Sequence, residues 1–211
     1  MSENHIIINV GRQLGSGGRT IGQMLAKDLG CEFYDREILN LAAKESGFSE
    51  KVFEQNDEHK RFFKALFQPH SQHVNDGNFY TNRLSQESLF QFQAEAIRHA
   101  ASSSSCVFVG RCADYILRDF DDVINIFITA DLEERAARVA ERHQCDHNKA
   151  LHIINQKEGS RASVYNYYTG RKWGDSANYD LCINSSLLGI EGTEHFIAQF
   201  IKQRLEVRGE R

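Results

Sequence analysis

Apolar residues along the chain follow two spacings. Short continuous runs occur at residues 6–10 (IIINV), 106–109 (CVFV) and 123–128 (VINIFI), with weaker ones at 31–34 and 179–183. Continuous apolarity over so few residues predicts strands buried on both faces. Between the runs, apolar positions recur three and four apart, as on one face of a helix. Ile21, Met24, Leu25 and Leu29 form such a face, with Gly30 as its C-terminal cap. Ile38, Leu39, Leu41 and Ala42 predict a second helix that Gly47 stops, and Ser49 is a candidate cap for another. Leu89, Phe92, Ala96 and Ile97 predict a helix over 86–101, and Tyr115, Ile116 and Leu117 a short one. Asp131 is placed to cap a helix with Leu132, Ala136 and Val139 inward, and Asp146 one with Leu151 and Ile154 inward. From Thr193, Phe196, Ile197, Phe200, Ile201 and Leu205 predict a C-terminal helix.

Five strands alternating with helices predict an α/β fold, a five-stranded parallel sheet with helices on both faces. Two stretches break the alternation. Residues 57–85 carry Pro69, the polar run Asn75-Asp76-Gly77-Asn78 and an apolar patch of Phe62, Phe63, Leu66 and Phe67. They read as an inserted, partly mobile segment. The serines at 102–105 read as a linker.

In a parallel sheet, ligands bind beyond the carboxyl ends of the strands. The first strand runs into Gly11-Arg12-Gln13-Leu14-Gly15-Ser16-Gly17-Gly18-Arg19-Thr20, a loop with four glycines that leads into a helix. Glycine permits positive φ and close approach of backbone to an anion. The N–H groups and the positive end of the helix then face one point, which is a phosphate cradle. The loop departs from the Walker pattern G-x-x-x-x-G-K-[ST]. Counting from Gly17, the lysine position holds Gly18 and the first glycine position holds Arg12. Two more strand ends carry chemistry: Asp35-Arg36 after the second and Gly110-Arg111 after the third.

Composition narrows the function. With 211 residues the chain can bury one sizeable core. A net charge of −4 argues against a general nucleic-acid binder. No apolar run has membrane-spanning length and the N-terminus lacks a signal pattern, so a cytoplasmic location is expected. Cys31, Cys106, Cys112, Cys145 and Cys182 are dispersed, as reduced core thiols are. His143, Cys145 and His147 read as a junction between helices rather than a metal site.

Taken together, several segments resemble the cytidylate kinase-like family, a branch of the P-loop nucleoside monophosphate kinases. Gly15-Ser16-Gly17-Gly18-Arg19-Thr20 is similar to a variant form of the family's loop, and Phe33-Tyr34-Asp35 to its acceptor-side strand end. Val109-Gly110-Arg111-Cys112-Ala113-Asp114-Tyr115 resembles its GR-x-AD signature. Residues 127–138 resemble the strand and helix before the lid, and 179–186 the last strand. The likeness departs at Gly18, where the Walker lysine belongs, at Val109, where an aspartate precedes Gly-Arg, and at Cys112, where an aspartate follows it.

The resemblance implies a single P-loop kinase-like domain over 1–211, a helical acceptor-side insert over 36–100 and a lid over 155–178. It implies ATP and Mg²⁺ as cofactors and CMP or dCMP as acceptor, with neither nucleic acid nor membrane as partner. Gly15, Ser16, Gly17, Gly18, Arg19 and Thr20 would hold the nucleotide, with the Thr20 hydroxyl on the metal. Arg19 is the preferred substitute for the lysine because it lies at the helix start, with Arg12 its rival. Asp35, Arg111 and Arg135 would face the acceptor, and the lid cations Arg161 and Lys157 the transferring phosphoryl. Asp114 reads as a structural partner for an arginine and Trp173 as packing. Two alternatives stay open: a kinase of another small acceptor, and a nucleotide-binding sensor without catalysis.

Overall fold

In a computed structural model the structure describes residues 5–35, 79–110 and 112–209. Five strands form one sheet: β1 (Ile7–Arg12), β2 (Glu32–Tyr34), β3 (Cys106–Val109), β4 (Val123–Thr129) and β5 (Leu181–Asn184). Their order is β2-β3-β1-β4-β5 and every pairing is parallel. The described helices are α1 (Gly18–Leu29), α2 (Phe79–Ser103), α3 (Ala113–Ile116), α4 (Leu132–His143), α5 (His147–Thr169) and α6 (Gly189–Gly209). The chain divides into two compact units, Met1–Arg36 with Ala100–Arg211, and Glu37–His99. All five strands belong to the first unit. Of the second, residues 79–99, most of α2, lie within the described residues.

The register explains the uninterrupted apolar runs. Ile8 pairs with Val107 and Ile124, and Val10 with Val109 and Ile126. These side chains share one face and pack against Ile21, Leu25 and Ala26 of α1 and Ile197, Ala198 and Ile201 of α6. On the other face, Ile7, Phe108 and Phe127 are equally buried. The inner strands β1, β3 and β4 have no solvent side, so no polar alternation appears in them. The exception is Asn9, whose amide donates to Asn125 Oδ1 on the neighbouring β4 at 2.9 Å.

Several expectations change. Helix α2 starts at Phe79, inside the stretch read as an irregular insert; Thr81, Asn82 and Ser85 are weak helix formers and hide its beginning. Helix α5 is one continuous element that runs through the first half of the expected lid. Helix α6 starts at Gly189 rather than Thr193. Leu132 and Phe196 are exposed, not inward. Leu132 opens α4 and leans back over the turn before it, beyond the core. At the Phe196-Ile197 pair, Ile197 takes the inward direction. The serine run is more than a linker, since Ser105 Oγ accepts from the Ile6 N–H at the head of the sheet. Asp146 caps α5 as expected, accepting from Lys149 N at 2.8 Å. Expectations for the helices near residues 38–49 and for the phenylalanine patch at 62–67 lie outside the described residues. Among the described residues, no helix is long and apolar enough to cross a membrane.

Candidate functional site

The glycine loop leaves the carboxyl end of β1 and is pinned at each step. The Gln13 N–H donates to Ile128 O at 3.0 Å, and its side-chain oxygen accepts from Ala130 N at 3.3 Å. Ser16 Oγ donates to Gln13 O and accepts from Gly18 N. Buried Ser185, just past β5, donates to Ser16 O at 2.8 Å, with Thr129 O 3.1 Å away. Gly15 and Gly17 have φ of 81° and 76°, and Gly17 caps α1. A loop that turns through the left-handed region twice and enters a helix turns its N–H groups to one side.

Three neighbours wall the loop. A Cβ at Gly15 would stand 2.6 Å from the Arg135 carbonyl oxygen. One at Gly17 would overlap the Cδ1 of Ile190, and one at Gly18 would stand 2.6 Å from Arg12 Cβ. The loop therefore packs on the first turn of α4, on the first turn of α6 and on its own incoming strand.

The expected cations occupy different positions. Arg19 turns to the end of β2, where its Nε and Nη2 reach Asp35 Oδ2 at 2.8 and 2.7 Å. Arg19 is half exposed, whereas Asp35 is buried. Arg135 is also buried; it donates through Nε to Ala130 O at 2.9 Å and through Nη1 to Glu158 Oε1 at 2.8 Å. The same Glu158 oxygen accepts the Leu14 N–H at 2.9 Å. Arg138 reaches Gly15 O at 3.0 Å and Glu134 on its own helix. Arg161 donates to the Arg12 carbonyl at 3.1 Å. Lys157 is exposed on the same helix, and Thr20 is exposed in the first turn of α1. Arg111 lies outside the described residues.

A second polar group joins α3 to α5. Tyr165 donates to Asp114 Oδ2 at 2.6 Å. Burial pushes the Asp114 carboxyl above the usual carboxylate range, although the Tyr165 hydroxyl pulls it the other way. Burial, together with Asp114, raises the Tyr165 and Tyr179 phenols well above theirs. Asp114 thus meets a tyrosine rather than an arginine at hydrogen-bond distance. Trp173 packs edge-on against Phe127, as expected for a packing residue. All five cysteines are free thiols. His143 ends α4 and His147 begins α5, so these residues and Cys145 form the junction between the two helices. Among the described residues no cluster of His, Cys, Asp and Glu is placed to hold a metal ion.

Two residues of this arrangement were passed over in the sequence. Glu158 lies three positions before Arg161 on one helix face, a spacing that places both toward the same neighbour. Ser185 follows β5 directly, which is where a sheet of this kind presents side chains to its ligand crevice.

Comparison with known proteins bears on the family and the fold. A profile of the cytidylate kinase-like family matches residues 7–187. The cytidylate kinase of Staphylothermus marinus is 33% identical over 106 residues, covering 50% of this chain and 59% of that relative. That of Sulfurisphaera tokodaii is 25% identical over 184 residues, covering 87% and 88%. Among solved structures, an uncharacterized protein from Eubacterium ventriosum matches with a TM-score of 0.71 at 28% identity, covering 94% of this chain and 99% of that one. A shikimate kinase from Bacteroides thetaiotaomicron matches with a TM-score of 0.52 at 13% identity, covering 93% and 98%, and shares the fold alone.

Proposed function

The chain belongs to the cytidylate kinase-like family, and from that premise we propose that it is an ATP-dependent phosphotransferase whose acceptor is a nucleoside monophosphate, CMP or dCMP. The observation that carries the reading is the loop at the end of β1. Its left-handed Gly15 and Gly17 and the α1 N-terminus form an anion cradle. Backbone carbonyls of that loop, those of Gly15 and Arg12, accept from Arg138 and Arg161 on two other helices. Phosphoryl transfer asks a protein for positioning and positive charge around the moving group, and needs no covalent nucleophile.

In this reading Gly15, Ser16, Gly17 and Gly18 hold the donor phosphates through their backbone. Arg161, with Lys157 beside it on α5, brings charge to the moving phosphoryl. Asp35 and Arg19 close the acceptor side at the end of β2, and Arg111 contributes after β3. A Mg²⁺ ion fits this donor set, because it keeps several waters and takes few protein ligands when phosphates supply the rest. The exposed Thr20 hydroxyl would be its protein ligand, and the ion would neutralise charge on the phosphate oxygens. The reaction is proposed to run in the cytoplasm on a small molecule, without nucleic acid or membrane.

A second reading is favoured by one contact. Glu158 already engages both the Leu14 N–H of the loop and Arg135. A carboxylate seated on a phosphate loop suits a nucleotide sensor that trades this contact for ligand. Equilibrium titration separates the possibilities. Mg²⁺ATP and CMP are expected to bind together, neither displacing the other. Binding of ATP alone, with no affinity for any monophosphate, would favour the sensor, and binding of neither would end the nucleotide reading.

A further inference from the structure

Gly18 raises a question that nucleotide binding alone does not answer. It lies in the first turn of α1 and, unlike Gly15 and Gly17, does not have positive φ. Glycine destabilises a helix interior relative to alanine. Its backbone does not require glycine; its neighbour does. A Cβ there would stand 2.6 Å from Arg12 Cβ and 3.0 Å from Arg12 Cγ. These atoms are the root of the Arg12 side chain, not a flexible end, and cannot swing away. The far end of the same side chain lies against Gly110, where a Cβ would overlap Arg12 Nη1. Gly110 opens a turn after β3 with two left-handed residues, itself at φ 78° and Cys112 at 56°. The Arg12 side chain thus runs from above Gly18 to the end of β3, with a glycine beneath each end.

We propose that Arg12 and Gly18 have exchanged the two roles of the Walker loop: position 12, ordinarily the first glycine, supplies the phosphate-binding cation, and position 18, ordinarily the lysine, supplies the space it crosses. The inference rests on the nucleotide reading above and adds to it the identity of the cation and the direction from which it comes. Arg12 approaches from the strand side of the loop, and its guanidinium lies at the end of β3, between the donor loop and the acceptor-side strands. Its planar fork stays charged at every relevant pH and grips phosphate oxygens in pairs. Arg161 meets the Arg12 carbonyl at 3.1 Å, so the lid-helix cation arrives at the same residue.

The exchange makes a sign-specific expectation for four proteins: wild type, Arg12→Gly, Gly18→Lys and the double variant. Calorimetry gives Mg²⁺ATP affinity, and thermal unfolding gives the melting temperature. Arg12→Gly is expected to weaken Mg²⁺ATP binding about tenfold or more, the loss of one charged hydrogen-bonding partner. Gly18→Lys alone drives a side chain into Arg12 and is expected to lower the melting temperature and binding together. The double variant rebuilds the ordinary loop and is expected to recover both, despite carrying two changes. A purely structural Arg12 would not have its affinity loss rescued by a lysine six residues away. A double variant that binds as weakly as Arg12→Gly, or an Arg12→Gly protein that binds like wild type, overturns the proposal. If wild type binds no Mg²⁺ATP, the nucleotide reading fails. The melting temperatures then test the steric half of the exchange alone, and simple additivity of the two single changes overturns that half.

Discussion

Glu158 Oε1 meets Arg135 Nη1 at 2.8 Å, and their side chains are only 18% and 8% exposed. The same oxygen takes the Leu14 N–H, so one carboxylate ties the glycine loop, the first turn of α4 and the middle of α5 together. Breaking a buried pair from one side leaves a charge without compensation, at a cost on the order of 3 kcal/mol. Glu158→Ala should therefore destabilise the protein strongly in denaturant unfolding. Glu158→Gln keeps an acceptor for Leu14 and should cost less. Equal losses for the two variants would show that the acceptor kept for Leu14 contributes nothing and that the charge of Glu158 carries the junction.

Arg19 is expected to matter for the acceptor side more than for ATP. Its guanidinium is spent on Asp35, and it is half exposed. Arg19→Ala should change Mg²⁺ATP affinity by less than about threefold, in line with a half-exposed ion pair, while raising the acceptor KM. A large loss of ATP affinity with an unchanged acceptor KM would return Arg19 to the lysine's role.

Asp114 makes stability depend on pH in a stated direction. Its folded carboxyl titrates above its ordinary value because burial disfavours the charge. Between the ordinary and the raised value the folded state binds more protons than the unfolded one. Stability from this group is thus highest at acid pH, falls as pH rises through that window, and is level above it. Asp114→Asn retains an acceptor for Tyr165 and should remove this slope, with stability at neutral pH unchanged or raised. Unfolding measured across acid pH with an identical slope in the variant would contradict the assignment.

Arg161 should separate chemistry from binding. It lies on α5 with its Nη1 on the Arg12 carbonyl, beside the loop. If it serves the moving phosphoryl, Arg161→Ala lowers kcat roughly 100-fold, the usual scale for losing one preorganised donor. The KM for ATP then shifts by only a few-fold. A rise in KM with kcat intact would make Arg161 a ground-state contact.

The sheet was legible because burial on both faces removes the polar positions from β1, β3 and β4 except Asn9, Asn125 and the strand-end Arg12 and Thr129, leaving a signal no surface strand imitates. The glycine loop was legible for a related reason: a buried strand followed by Gly15, Gly17 and Gly18 and then a helical pattern has few other uses. What was hidden is what depends on direction. Arg12 and Gly18 are six residues apart, and nothing in their spacing says that one side chain passes over the other. Arg19 looked the better cation because it sits at the helix start, yet the turn of α1 carries it toward Asp35. Leu132 and Phe196 count as apolar in any periodicity, but each lies at the margin of its helix face. Glu158 was passed over because a carboxylate among lid cations reads as solvated charge until the loop N–H beneath it is seen.

The central claim is transfer of a phosphoryl group, and the most direct measurement follows the group itself. ATP labelled in its γ-phosphoryl is incubated with the protein, Mg²⁺ and CMP, dCMP or other small acceptors, and the products are separated. The account expects label in CDP or dCDP, dependent on Mg²⁺, with ADP formed in equal amount. ATP bound tightly with no label in any acceptor would contradict it.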